Sequence, residues 1–276
     1  ARFTVELLQA IRKAMGPDFL IEIRVSSDEH LPGGLNLDDA VKYCQLCEPY
    51  IDLIHVSCGH YLSSSRSWEF TTTYAPHGAN IDNAAVIKQN VSVPVAVVGG
   101  INSPEMAEQA IASGKVDMVS MGRQFFADPE FPNKLKEGRR EDIRPCLICN
   151  EECIGRIFGR LTQLSCTVNI QVCQEGATQI EKLPKPGRKV AVIGAGPGGL
   201  EAARVAALRG CDVTVYEASD RIGGTFGAIA TAPFKKRIRE LITWYGVQLE
   251  KLGVSIRLNT KVTPDTPALA VADEIF

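Results

Sequence analysis

Apolar residues in the first part of the chain alternate between two spacings. Val5, Leu7, Leu8, Ile11 and Met15 recur at helical intervals and predict a helix that Gly16 and Pro17 end. Residues 19–25 (FLIEIRV) then read as a strand, and 37–47 as a second helix. The pattern repeats: strand 51–57, a long polar loop 59–80, a short helix 81–90, strand 93–98 ending in Gly99 and Gly100. Ser103, Pro104 and Glu105 form a helix start, with a capping hydroxyl, a proline in the first turn and an acid beside the positive dipole end. A fourth strand, 116–121, ends in Gly122 and Arg123, and a helix over 129–136 closes the series. Mostly apolar strands alternating with helices predict a parallel sheet buried on both faces. Four such units make half of an eight-stranded barrel or part of an open sheet. The glycine-rich strand ends favour the barrel, where a phosphate site after the last two strands is frequent.

The periodicity resumes after a polar, proline-containing linker at 183–189. Strand 190–193 runs into Gly194, Gly196 and Gly199, a helix follows to about Arg209, and strand 212–216 ends at Glu217. A G-x-G-x-x-G that follows a strand and opens a helix is a dinucleotide fingerprint: the glycines permit a tight turn and close approach of a pyrophosphate to the helix N-terminus. Glu217 lies 18 residues beyond Gly199, the distance of an acid that binds a ribose hydroxyl. The acid favours FAD or NAD over a 2′-phosphorylated cofactor. Residues 234–252 read as a helix and 254–258 as a strand, and 272–275 as the entry to another.

Composition changes this picture at one place only. A chain of 276 residues has room for roughly two domains. A net charge of −2 gives no reason to expect nucleic acid or membrane. No apolar run reaches the ~18 residues of a membrane span, and no signal peptide is visible. The nine cysteines, however, are uneven: Cys146, Cys149, Cys153 and Cys166 cluster as C-x2-C-x3-C-x12-C, while Cys44, Cys47, Cys58, Cys173 and Cys211 are scattered. Clustered thiols in a chain of this size point to metal ligation in a reducing cytoplasm rather than to disulfides. Three thiolates from one loop and a fourth at a distance suit a [4Fe–4S] cluster; zinc is the competitor. A cluster between a barrel-like half and a dinucleotide fold suggests an electron relay.

Other candidates are single residues. Arg24 lies within an apolar strand, where a guanidinium is costly unless paired. It is either a cation beside a flavin pyrimidine or half of a buried ion pair with Glu22 or Asp52. Arg123, with Gly99, Gly100 and Gly122, forms either a phosphate cradle or a tight turn with a solvated arginine. His60 follows a strand at what would be the barrel mouth and is either a general acid or a solvated side chain. His30 and His77 carry less weight, and His55, inside a strand, reads as structural.

The segments VAVVGGI (95–101), MGRQFFADP (121–129), IRPCLICN (143–150) and VAVIGAGPGG (190–199) stand in an order that resembles the multidomain old-yellow-enzyme-like NADH:flavin oxidoreductases. That group spans 2,4-dienoyl-CoA reductase, clostridial enoate and bile-acid enone reductases, and trimethylamine dehydrogenase. The resemblance implies an α/β chain in three parts: residues 1–138 as the C-terminal half of an FMN-binding TIM (β/α)8 barrel, 139–188 as an iron–sulfur segment and linker, and 189–276 as the start of a Rossmann-like FAD/NAD(P)-binding domain. It implies FMN contacts from Arg24, Gly99, Gly100, Gly122 and Arg123. The four clustered cysteines become [4Fe–4S] ligands. FAD contacts fall to Gly194, Gly196, Gly199 and Glu217, and residues 220–224 (DRIGG) resemble a segment of FAD domains. His60 becomes a proton donor. The implied activity is NAD(P)H-dependent reduction of an activated C=C bond in an enoyl or enone substrate, with electrons passing from NAD(P)H through FAD, the cluster and FMN. An amine dehydrogenase and a non-catalytic electron-transfer subunit are the alternatives. The x3 and x12 cysteine spacings together match neither branch of the family. Both ends look cut, so the expected partners include a preceding half-barrel and a following NAD(P)H domain of the same polypeptide; a homo-oligomer is compatible with this. The fragment alone is expected not to turn over.

Overall fold

The computed structural model describes residues 1–63 and 69–276. They divide into two compact units: residues 1–123 with 148–150, and residues 124–147 with 151–276.

The first unit is built from βα repeats. Helix α1 (Arg2–Met15) precedes strand β1 (Glu22–Ser26); α2 (Leu37–Cys47), β2 (Leu53–Ser57), α3 (Ile81–Lys88), β3 (Val95–Val98), α4 (Pro104–Ala112) and β4 (Met118–Ser120) follow. All pairings are parallel and the strand order is the chain order, as in half of a (β/α)8 barrel. Helix starts follow capping chemistry. Asn36 Oδ1 accepts the Asp39 amide at 3.0 Å, and Ser103 Oγ accepts that of Met106 at 3.3 Å ahead of Pro104. The core lies between helices and sheet, where Ile54, Val56, Val95 and Val97 meet Ala40, Cys44, Cys47, Ala84 and Ile87. Each large buried aliphatic side chain there contributes about 1.5–3 kcal/mol. Burial pushes the Cys44 thiol up to about 12, with the neighbouring Cys47 and Glu48 adding to the shift.

Among the four strands of the first unit, burial on both faces, expected for each of them, holds only for β3, which is buried at Val95, Ala96 and Val97. Strands β1 and β2 alternate instead, so Ile23, Val25, Ile54 and Val56 face the core. Glu22 and Arg24 are exposed on the other face of β1. Strand β1 also begins at Glu22, not at Phe19. Arg12 explains this, because its guanidinium takes the Phe19 carbonyl at 2.6 Å and Asp52 at 2.6 Å, and Asp52 in turn accepts the Ile21 amide at 2.8 Å. The backbone at 19–21 is thereby engaged by side chains before the sheet ladder starts.

Helix α5 (Arg123–Ala127) is a short element without a periodic signal in the sequence, and α6 (Phe131–Lys136) follows it. The second unit holds a one-turn π-helical stretch at Gly155–Arg160, then β5 (Lys189–Ile193), α7 (Pro197–Leu208), β6 (Asp212–Tyr216), α8 (Thr225–Ile229), α9 (Lys236–Lys251), β7 (Ser255–Arg257) and β8 (Glu274–Ile275). Its parallel sheet has the order β7-β6-β5-β8. Read from the first strand, that is the 3-2-1-4 order of a doubly wound dinucleotide fold, with the order reversing between β5 and β8.

Helix α9 also grips the stretch leading into the cysteines. Trp244 Nε1 donates to the Asp142 carbonyl at 3.0 Å, Gln248 and Lys251 reach the Asp142 carboxylate at 2.9 and 2.7 Å, and Arg237 Nε donates to the Cys146 carbonyl at 3.1 Å. Burial raises the Asp142 carboxyl, but the Lys251 and Gln248 bonds prevail and hold it below its usual range. Arg144 stacks on the Trp244 ring at 4.7 Å, and both its burial and the nearby Arg204 work against its charge.

Candidate functional site

In a parallel βα array, ligand sites form at the carboxyl ends of the strands. In the first unit these ends carry Asp28, Cys58, Gly99 and Gly122 onward, and the loops there are stitched together. The Gly59 amide donates to the Asp28 carbonyl at 2.7 Å, and Ser26 Oγ donates to the Gly59 carbonyl at 2.7 Å.

After β3 the backbone turns with φ of 140° at Gly99 and 65° at Gly100. A Cβ at Gly99 would lie 2.3 Å from Asn80 Nδ2, and one at Gly100 2.8 Å from Thr71 Cγ2. Only glycine fits there, because Asn80 comes in to donate to the Val98 carbonyl at 2.6 Å. Thr71 lies in the same place. Its carbonyl accepts Arg123 Nη1 at 2.5 Å, and the same nitrogen donates to Asn150 Oδ1. Asn150 then donates to the Phe70 carbonyl at 3.0 Å. Arg123 is thus fixed by neutral oxygens and has no carboxylate partner among the described residues, so its charge is uncompensated. The turn is tight, and Arg123 is half-buried and hydrogen-bonded rather than fully solvated. Glycine backbone and an oriented cation suit a phosphate group.

Arg24 proves to be exposed rather than buried. It donates to Ser57 Oγ at 3.0 Å. The ion-pair reading is overturned: Asp52 is taken by Arg12, and Glu22 by His55 Nδ1 at 2.9 Å. His60 is half-buried just beyond β2, and its Nδ1 accepts the Leu62 amide at 3.1 Å. A backbone N–H can only donate, so in the neutral ring the proton resides on Nε2. Beside it Cys58 Sγ lies 3.2 Å from His30 Nε2 and 3.2 Å from the Asp28 carbonyl, and burial pushes that thiol up. This contact, like those of Thr71, Asn80 and Asn150, has no signal in the sequence, because its members lie tens of residues apart. Residues 64–68 of the loop after His60 lie outside the described residues.

In the second unit the Gly194–Gly199 turn occupies the carboxyl end of β5, at the switch in strand order. Gly194 has φ 99°, and a Cβ on Gly199 would stand 2.0 Å from the Gly194 carbonyl oxygen, so strand and helix meet backbone to backbone. Glu217 closes β6. Its Oε1 accepts the Ser219 amide at 2.8 Å and Oε2 that of Ala195 at 2.7 Å. Those two backbone bonds, in that order, hold its carboxyl below the usual range. The Gly223 amide donates to the Ala195 carbonyl at 2.7 Å, which lays the 220–224 segment against the turn.

Of the clustered cysteines, Cys149 belongs to the first unit and Cys146, Cys153 and Cys166 to the second. Cys146 and Cys153 are buried. The Cys146 amide donates to Gln124 Oε1 at 3.1 Å, and Ile148 and Asn150, flanking Cys149, take left-handed φ of 54° and 59°. No disulfide joins any described cysteines. Among the described residues, no three His, Cys, Asp or Glu side chains stand close enough together to hold a metal ion. Two of the four thiols, those of Cys146 and Cys153, are withdrawn from solvent, and thiolates are the donors that iron–sulfur clusters take. No described helix is long and apolar enough to cross a membrane.

Residues 1–142 match the NADH:flavin oxidoreductase / NADH oxidase family. The chain belongs to that family. Residues 163–269 match the pyridine nucleotide-disulphide oxidoreductases, in keeping with the strand order of the second unit. Similar proteins include a metal reductase of Desulforamulus reducens (38% identical over 99% of this chain and 40% of that protein) and an NADH oxidase of Thermoanaerobacter brockii (38%, over 100% and 42%). A cinnamate reductase of Clostridium sporogenes is 33% identical over 100% of this chain and 43% of its own. A solved 2-naphthoyl-CoA reductase in complex with 2-naphthoyl-CoA superposes with a TM-score of 0.93 at 34% identity, over 99% of this chain and 42% of that one. The chain therefore spans about 40% of the length of the relatives it matches. Membership of the family implies flavin and nicotinamide cofactors.

Proposed function

We propose that this chain forms the central part of an NAD(P)H-dependent flavin and iron–sulfur oxidoreductase that reduces an activated C=C bond, in an enoate, enone or dienoyl-CoA substrate. Residues 1–138 would serve as the FMN half-barrel, 139–188 as the iron–sulfur segment and linker, and 189–276 as the start of the FAD domain. Gly99, Gly100, Gly122 and Arg123 would cradle the FMN phosphate, with Arg24 presenting its uncompensated cation to the flavin ring. Cys146, Cys149, Cys153 and Cys166 would ligate a [4Fe–4S] cluster. Gly194, Gly196 and Gly199 would admit the FAD pyrophosphate to the N-terminus of α7, with Glu217 beside the ribose. Bound there, these groups supply hydride and one-electron chemistry between NAD(P)H and the substrate.

The observation that carries the reading is His60. Its Nδ1 is occupied by the Leu62 amide, which leaves Nε2–H as a donor at the carboxyl end of a strand. A reduced C=C bond needs a proton as well as a hydride, and a histidine of fixed tautomer supplies it. The cinnamate and 2-naphthoyl-CoA reductases among the similar proteins support a conjugated substrate. The test uses the full-length protein. Anaerobic NADH should bleach its visible absorption, and cinnamate or 2-naphthoyl-CoA should restore it. His60→Gln should lower turnover roughly 10²–10⁴-fold while NADH still bleaches the protein. Bleaching by an amine substrate and not by NADH would establish the dehydrogenase alternative instead.

A further inference from the structure

Away from the glycine turn, the second unit has a pocket of about 310 Å³ between the outer half of α7 and residues 169–181. Its wall includes three arginines, Arg144, Arg204 and Arg209, and two acids, Glu181 and Glu201. Glu201 is already committed, since its two oxygens accept Arg204 Nε at 2.8 Å and Nη2 at 2.6 Å. Neither Arg144 nor Arg209 forms a salt bridge among the described residues, although the Glu201 and Asp128 carboxylates favour the charge on Arg144. Arg144 Nη1 donates to the Val168 carbonyl at 2.8 Å, but its buried Nε has no hydrogen-bond partner. Arg209 is exposed at the C-terminal end of α7. The guanidinium groups of Arg144 and Arg209, neither of them in a salt bridge among the described residues, therefore line one cavity together with the exposed carboxylate of Glu181. Neutral polar groups complete the wall, among them Asn169, Gln171, Thr178 and Gln179.

We propose that this pocket binds a small oxyanion, a phosphate ester or a dicarboxylate, at a site separate from the dinucleotide turn. Planar guanidinium forks match the oxygen geometry of both groups. The volume lies at the lower end of the range for small-molecule sites, about 300–1,000 Å³, which admits a compact anion and excludes a dinucleotide. Separation from the turn follows from helix geometry: Arg204 is about 10 Å along α7 from Pro197 at the 1.5 Å rise per residue. The site does not depend on the proposed reaction, because none of its residues belongs to the FMN, cluster or FAD sets.

Isothermal titration of the purified protein with inorganic phosphate, and separately with succinate, tests this. At least one probe should saturate, and which one does distinguishes a phosphate ester from a dicarboxylate. Arg209→Glu should weaken binding about tenfold or more, and Gln179→Glu, which adds charge to an exposed wall position, should weaken it as well. Gly196→Asp places a carboxylate in the dinucleotide turn and should leave binding unchanged. The proposal is overturned if neither probe saturates, if both charge variants bind like wild type, or if Gly196→Asp alone abolishes binding. The last result would return the anion to the glycine turn. Should Arg209→Glu not fold, Gln179→Glu decides.

Discussion

Asn150 ties the stretch after Cys149 to the Arg123 cradle, and its replacement has a calculable effect. Asn150→Ala removes the acceptor of the Arg123 guanidinium and the donor to the Phe70 carbonyl. A hydrogen bond to a charged group contributes about 1.5–3 kcal/mol, and a neutral one about 0.5–1.5 kcal/mol. Asn150 also has φ 59°, which asparagine tolerates and alanine does not, at roughly 1 kcal/mol. Asn150→Ala should therefore destabilise the first unit by about 3–5 kcal/mol, and Asn150→Gly, free of the backbone term, by about 1 kcal/mol less. Hydrogen exchange in increasing urea, read by mass spectrometry on peptides from β3, reports the unit by itself. A shift in opening free energy below about 0.5 kcal/mol for alanine would refute the energetic role of the two hydrogen bonds. Equal shifts for glycine and alanine would refute the cost assigned to the left-handed backbone.

Gly199→Ala places a methyl 2.0 Å from the Gly194 carbonyl, so the turn must open; FAD retention through gel filtration should be lost, while phosphate or succinate binding at the arginine pocket persists. The lowered Glu217 carboxyl contributes stability that is complete above its ordinary pKa and lost as pH falls through the lower folded value. The thermal midpoint should thus drop below about pH 4, and Glu217→Gln should flatten that drop. Cys44, buried and pushed up to about 12, should resist maleimide at pH 8 in the native protein, whereas exposed Cys173 reacts at once; peptide mapping distinguishes them. Cys153→Ser in the full-length protein should abolish the brown absorption and bound iron, and a colourless, zinc-loaded wild type would sink the cluster assignment.

The elements legible in the sequence are those whose signals are local. Helix α2 and strand β6 begin and end where apolar spacing puts them, and α4 starts where Ser103 and Pro104 place it. The glycine fingerprint is legible because strand, turn and helix are contiguous. Helix α8, five residues long with no side-chain cap, leaves no periodic trace. The bond from Asn150 to Phe70 joins positions 80 apart, and no spacing rule reaches that far. Arg24 departs from expectation for a related reason. An arginine between Ile23 and Val25 looks buried in a linear reading, but the period of two turns it away from the core its neighbours enter.

The place of β5 in its sheet has a consequence for synthesis. Strand β5 pairs with β6 on one side and with β8 on the other, and Lys189 meets Asp273 across 84 residues of chain. At roughly 5–20 residues per second, the ribosome would make β5 and its glycine turn about 4–17 s before the second neighbour exists. During that interval one edge of the central strand has no partner, and open strand edges recruit other chains. An early nucleotide at the turn would hold β5, α7 and β6 together through that wait, so flavin supply should affect the yield of intact protein as well as its redox chemistry.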